Sequence, residues 1–291
     1  MKARRTCLSV PGSSEAMLAK AASLPADEVV IDLEDSVAPA MKGEARELVA
    51  ATLEGGALSD VEVAVRVNAI ESPWFADDVS ELVGRAGARI GSLVVPKVEN
   101  PRDVARVAGL LDSLGEAAGA VGLQALVETA PGLLAVGAIA SASPRLQTLI
   151  LGYADLAASL GRPPESDQPG LWLHAQDTLL VAARAFGLQA IDGPYLAIRD
   201  DQGLRERVER VRALGFDGKW AVHPGQLTVI NEAFTPPAAE LERARAIVAA
   251  LDQAAGDEGR GAVELNGEMI DEASRKLALQ TVARGRAAGL A

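Results

Sequence analysis

The sequence predicts an α/β protein, a (β/α)8 TIM barrel with a C-terminal helical extension, on three observations. Short apolar runs bounded by turn residues alternate with amphipathic stretches from the start of the chain. Eight such pairs fit within about the first 235 residues, the number of βα units that closes a barrel. Nearly every run ends in polar or charged residues, as strands do when their carboxyl edge carries chemistry. An open, doubly wound sheet is the alternative, but Val10-Pro11-Gly12-Ser13-Ser14 is not a GxGxxG dinucleotide loop.

Residues 6–10 read as the first strand, stopping at Pro11-Gly12, with Ser13 as cap of a helix reaching about Leu24. Residues 28–33 form the second, which runs into Asp32, Glu34 and Asp35; a helix over about 41–53 ends at Gly55-Gly56. Residues 61–67 are the third, ending at Arg66-Val67-Asn68 before a helix over about 75–85. Residues 92–95 close on Pro96-Lys97. Asn100 then caps a helix with Pro101 in its first turn and Asp103 near the positive end of its dipole. Strands five and six lie in the runs 123–132 and 149–161, each climbing through apolar residues to one carboxylate, Glu128 and Asp155. A helix over about 168–186, a strand at 188–191, a helix near 203–214 and a strand at 219–222 complete the barrel, residues 1–235. Pro236-Pro237 marks the boundary with the extension, residues 236–291: a charged helix over about 238–253, a polar stretch at 256–261 and an amphipathic helix over about 271–286. This extension is too small to hold its own core, so it must pack on the barrel or a neighbouring subunit, or act as a lid.

The net charge of −12 at pH 7, without a long basic run, argues against a nucleic-acid partner. A single cysteine, Cys7, excludes an intramolecular disulfide and a multi-cysteine zinc site, and its strand flanks predict a buried thiol. With no signal-peptide pattern and no uninterrupted bilayer-length apolar run, a soluble cytoplasmic protein without a membrane partner is expected.

So many ionisable residues at the predicted strand ends point to an enzyme. Glu128 and Asp155, on consecutive strands, are placed to share one hard cation such as Mg²⁺; the competing reading is that both cap the following helices. Arg66 stands in a strand of valine and alanine, so it either pairs with an acid of strand two or five or clamps an organic carboxylate or enolate oxygen. Lys97 has the same two readings. Alternation sends the acids of the 32–35 cluster to opposite faces, leaving Glu34 and Asp35 as supports for the site or as helix caps. His174, inside a helix, reads as structural, and His223, ending strand eight, as a possible base.

Taken together, these motifs resemble a known family. Arg4-Arg5, Leu8-Ser9-Val10-Pro11-Gly12, Asp32-Leu33-Glu34-Asp35-Ser36-Val37, Arg66-Val67-Asn68, Val95-Pro96-Lys97, Glu128-Thr129-Ala130, Gly152 with Asp155-Leu156, Gly215-Phe216-Asp217-Gly218-Lys219, Val222-His223-Pro224 and Gly267-Glu268-Met269-Ile270-Asp271 occur in order along nearly the whole chain. The pattern is similar to the citrate lyase β-subunit-like (CitE-like) branch of the HpcH/HpaI aldolase superfamily, which includes malyl-CoA and citramalyl-CoA lyases. The resemblance implies a Mg²⁺-dependent carbon–carbon lyase that cleaves or forms a 3-hydroxyacyl-CoA thioester through a thioester enolate and a 2-oxo acid. It implies Glu128 and Asp155 as metal ligands, with Lys97 beside the bound acid. Arg66 would bind substrate and steady the enolate, and Asp271 would be a base brought from an adjacent subunit's extension. Arg4 and Arg5 would hold the phosphates of coenzyme A, and the assembly would be a homotrimer or hexamer. Glu268 departs from the basic residue common in that motif. Three other readings remain: a citrate lyase β-subunit acting on a citryl-carrier protein, a malyl-CoA thioesterase, and a keto-acid-binding protein without turnover.

Overall fold

The computed structural model describes residues 2–163, 170–257 and 261–290. Eight parallel strands follow one another around a closed barrel: β1 (Thr6–Pro11), β2 (Glu28–Asp32), β3 (Glu62–Arg66), β4 (Ser92–Val95), β5 (Gly122–Val127), β6 (Leu146–Leu151), β7 (Gln189–Asp192) and β8 (Gly218–Ala221). The seam closes where Thr6, Cys7 and Leu8 pair with Lys219, Trp220 and Ala221. The expected (β/α)8 barrel is therefore the observed fold.

Period-two alternation organises its interior into layers. One residue from each strand meets in the central ring: Cys7, Val30, Ala64, Val94, Leu126, Ile150, Ile191 and Trp220. One pleat toward the amino-terminal ends lie Glu28, Ser92, Gln124, Thr148 and Gln189, all buried. One pleat toward the carboxyl ends lie Asp32, Arg66, Glu128 and Gly152. Strand geometry alone thus carries a β2 acid, a β3 base and the acid just past β5 to one mouth.

The helices between strands are α1 (Glu15–Ala21), α2 (Lys42–Glu54), α3 (Phe75–Ala86), α4 (Pro101–Ser113), α5 (Ala130–Leu134), α6 (Val136–Ala140), α7 (Tyr153–Ser159), α8 (Leu173–Ala185) and α9 (Asp201–Leu214). The Asn100 cap of α4 is formed, with Asp103 completing a capping box. The α1 cap is Ser14 rather than Ser13, because Ser14 holds the extended backbone and accepts from the Met17 amide. The helix expected from Gln168 begins at Leu173 among the described residues; Gln168 itself lies outside them.

The chain divides into two compact units, one spanning Arg4–Ile230 and the other built mainly from Asn231 onward. The division falls inside α10 (Leu227–Phe234), a few residues before the Pro236-Pro237 boundary. The second unit contains α11 (Ala238–Asp257), an antiparallel hairpin of β9 (Ala262–Leu265) and β10 (Glu268–Asp271), and α12 (Glu272–Ala287). The hairpin was not expected. Its turn is Asn266-Gly267 with φ of 53° and 85°, the left-handed pair of a tight hairpin. Of the polar stretch expected at 256–261, residues 258–260 lie outside the described residues and Gly261 leads into β9. Among the described residues no helix is long and apolar enough to cross a membrane.

Candidate active site at the mouth of the barrel

Arg66 and Asp32 are register partners at the ends of β3 and β2. Their side chains form a two-pronged ion pair, Nε to Oδ1 and Nη2 to Oδ2, both 2.7 Å. Asp32 also accepts the amides of Glu34 at 2.8 Å and Ser36 at 3.1 Å. Burial would push the Asp32 carboxyl up, but the Arg66 hydrogen bonds and charge outweigh it and hold it below the ordinary range. The guanidinium lies over the Trp220 ring, 5.9 Å from its centroid. Arg66 Nη1 faces Glu34 Oε2 at 3.1 Å, and the Lys97 ammonium bonds Glu34 Oε1. Both sequence readings of Arg66 and Lys97 as acid-paired bases are therefore met, with Asp32 and Glu34 as partners. Asp35 stays largely exposed, 3.8 Å from Arg66 and 3.9 Å from Lys97.

Glu128 follows β5 and is buried at 2% exposure. It does not cap the next helix: Thr129 does, accepting from the Gly132 amide at 3.2 Å. Its Oε1 instead accepts the main-chain amide of Lys97 at 2.8 Å. Asp155 does not end strand six as expected: β6 stops at Leu151, and Asp155 sits in the first turn of α7, whose N-cap is Gly152. Burial, then the charges of Glu34 and Asp155, push the Glu128 carboxyl up to about 8. A cation between these acids would remove that penalty. Among the described residues no three His, Cys, Asp or Glu gather into a cage. Two oxygen acids at an open strand edge suit Mg²⁺, which keeps several waters.

Three expectations need correction or relocation. Arg4 is not at the mouth. It is buried at the amino-terminal end, where Nε bonds Glu28 at 2.8 Å and the other nitrogens bond Gln189 and Gln147. Its charge is committed to the barrel floor, so a role on coenzyme A phosphates is withdrawn. Arg5 precedes β1 and pairs with Asp27 through Nε and Nη2 at 2.8 and 2.7 Å, so it shares that correction. His223 is a cap rather than a base at the mouth, its Nδ1 accepting the Gly225 amide at 3.1 Å. In the second unit Asp271 caps α12, accepting the Ser274 amide at 3.0 Å, which lowers its carboxyl. Glu268, the departure in that motif, pairs with Arg243.

Sequence reasoning gave Asp32 no role of its own, although counting two residues on from Val30 would have placed it beside Arg66. Lys219 and Asp192 were also missed as a pair. Both are fully buried and bonded to each other, with Tyr153 on the same carboxylate, on the strand face away from the central ring.

A model of the HpcH/HpaI aldolase/citrate lyase family matches residues 5–224. The chain belongs to this family. An L-malyl-CoA/beta-methylmalyl-CoA lyase of Cereibacter sphaeroides is 36% identical over 92% of this chain and 90% of its own length. A (3S)-malyl-CoA thioesterase of the same species is 39% identical over 97% of this chain and 95% of its own. Among solved structures, the CitE protein of Mycobacterium tuberculosis in complex with magnesium, acetoacetate and coenzyme A is 31% identical. It superposes with a TM-score of 0.76, covering 98% of either chain. A citrate lyase of Burkholderia xenovorans, 24% identical with a TM-score of 0.86 over all of this chain and 94% of its own, shows the family barrel alone.

Proposed function

We propose that the chain is a Mg²⁺-dependent carbon–carbon lyase that cleaves or forms a 3-hydroxyacyl-CoA thioester of the malyl-CoA or citramalyl-CoA type. The observation that carries this reading is the arrangement at the mouth, where Arg66, locked by Asp32, stands in one layer with Glu128, whose carboxyl feels the charge of Asp155. The names of the lyase relative and of the magnesium- and coenzyme-A-bound neighbour support the substrate and cofactor.

Glu128 and Asp155 would hold the ion, and Lys97 would stand beside the bound acid. When bound, Mg²⁺ supplies Lewis acidity to the 2-oxo acid's carbonyl and carboxylate oxygens. In the cleavage direction a base removes the proton of the substrate's hydroxyl. The bond between the hydroxyl-bearing carbon and the carbon next to the thioester then breaks. Its electron pair becomes the thioester enolate, which a proton quenches. Arg66 supplies fixed charge where the enolate oxygen develops, without reorganisation, because Asp32 already orients it. Asp271, from the extension of a neighbouring copy in a homotrimer or hexamer, is the proposed proton carrier. Glu34 and Asp35 complete the charge balance around Arg66 and Lys97, and the protein would act in the cytoplasm.

The thioesterase relative favours a second reading, hydrolysis of the thioester to the free hydroxy acid. Incubating the purified protein with Mg²⁺ and a panel of 3-hydroxyacyl-CoA thioesters, with products identified by mass spectrometry, separates the two. A 2-oxo or aldehydic acid with a shortened acyl-CoA supports the lyase; free hydroxy acid with free coenzyme A supports the thioesterase. No Mg²⁺-dependent product from any thioester overturns both.

A further inference from the structure

Two backbone features converge on the Glu128 carboxylate. Lys97 has φ of 51°, left-handed backbone that side-chain-bearing residues seldom adopt. That turn directs its amide to Glu128 Oε1 at 2.8 Å, while the next amide, Val98, returns to the Leu126 carbonyl at 3.3 Å. On the other side, a Cβ at Gly152 would stand 2.5 Å from Glu128 Oε2 and 2.6 Å from its Cβ. Those separations are closer than unbonded atoms tolerate.

We propose that Lys97 and Gly152 are positioning residues for the cation-binding carboxylate. The left-handed turn at Lys97 aims a main-chain donor at Oε1, and the bare Cα of Gly152 leaves Oε2 its place. This rests on Glu128 being a metal ligand. The Lys97 ammonium bonds Glu34 and its charge also reaches Glu128, so the backbone contribution of residue 97 is the difference between two substitutions that both lack the ammonium. Strained backbone beside a functional group is kept where the surrounding structure over-determines it. Here the Val98 amide on the Leu126 carbonyl and the Glu34 ion pair tie the turn down.

The test is calorimetric titration of Mg²⁺ into the full-length wild type and the variants Glu128→Gln, Lys97→Asn, Lys97→Val and Gly152→Ala, each also melted by circular dichroism. Asn tolerates left-handed φ and Val does not, yet both lack the ammonium. Lys97→Asn sets the Kd of a chain that keeps the left-handed turn without the ammonium. Lys97→Val is expected to bind about 10–100-fold more weakly than Lys97→Asn, and Gly152→Ala more weakly than the wild type by a similar factor, as loss of a ligand's supporting contacts does. Equal losses in Lys97→Asn and Lys97→Val would assign the effect to the ammonium and overturn the proposal. So would wild-type affinity in Gly152→Ala while Glu128→Gln is impaired; this arm decides alone if Lys97→Val does not fold. Wild-type affinity in Glu128→Gln removes the ligand assignment itself and the proposal with it.

Discussion

Arg66 and Asp32 meet as two planar groups, two parallel hydrogen bonds of 2.7 Å joining the ends of adjacent strands. The pair fixes the guanidinium before any ligand arrives, and the Trp220 ring backs it. Replacing Asp32 by Asn keeps the shape but removes the charge and one acceptor. Asp32→Asn is expected to lower kcat/KM by about 100-fold, on the scale of losing one oriented electrostatic contact. It should also lower the melting temperature, since Arg66 loses a buried counter-charge. Steady-state kinetics beside a thermal melt check it; wild-type kcat/KM would free Arg66 from dependence on Asp32.

Arg66→Lys replaces a planar fork by a point charge. Lysine cannot bond Asp32 at two points and still present donors to an organic acid. The expected loss in kcat/KM is at least about 100-fold, with Mg²⁺ affinity nearly unchanged. A near-wild-type rate would remove Arg66 from the mechanism.

The barrel floor gives a contrasting prediction. Arg4→Met leaves Glu28 buried without its counter-charge, at a cost of about 3–5 kcal/mol in stability. The KM for the thioester should stay within about twofold, because the substitution lies at the opposite end of the strands. Denaturant unfolding and steady-state kinetics on one preparation check both halves; a tenfold rise in KM would return Arg4 to the coenzyme A site.

Glu128 makes stability and metal binding depend on pH. Its carboxyl is raised in the fold to about 8 from the usual 4.5. The stability tied to the neutral form is therefore fully present below about 4.5 and lost as pH rises toward 8. Without Mg²⁺ the melting temperature should fall across that window, and Glu128→Gln should flatten the fall. Mg²⁺ competes with the proton, so its affinity should rise with pH up to about 8. Melting and titration at half-unit pH steps would show these trends; a flat profile for both contradicts the buried, like-charged setting of Glu128.

The barrel was legible because its evidence is periodic. The apolar runs ending in Asp32, Arg66, Lys97, Glu128 and Asp155 repeat a single plan, and the strand ends fall within a few residues of those expected. Pairing across strands was harder to see. For Arg66 the acids of strands two and five were both candidate partners, and the β2–β3 register brings Asp32 alongside it. Arg4 was misplaced because its coenzyme A role came from the family resemblance alone, whereas the chain enters β1 from the opposite end of the barrel. The β9–β10 hairpin was missed although Asn266-Gly267 is a strong turn signal, because its strands are only four residues each and lie largely in solvent. Lys219 escaped notice because a lysine with no solvent exposure is rare, and its Asp192 partner lies 27 residues away.

The central claim is that Glu128 and Asp155 together grip one divalent ion beside Arg66. Anomalous diffraction from crystals grown with Mn²⁺ in place of Mg²⁺, with a 2-oxo acid present, tests it most directly. The account predicts a single strong peak at the mouth, about 2.0–2.2 Å from an oxygen of each carboxylate. A peak touching only one of them, or lying elsewhere in the molecule, would contradict it.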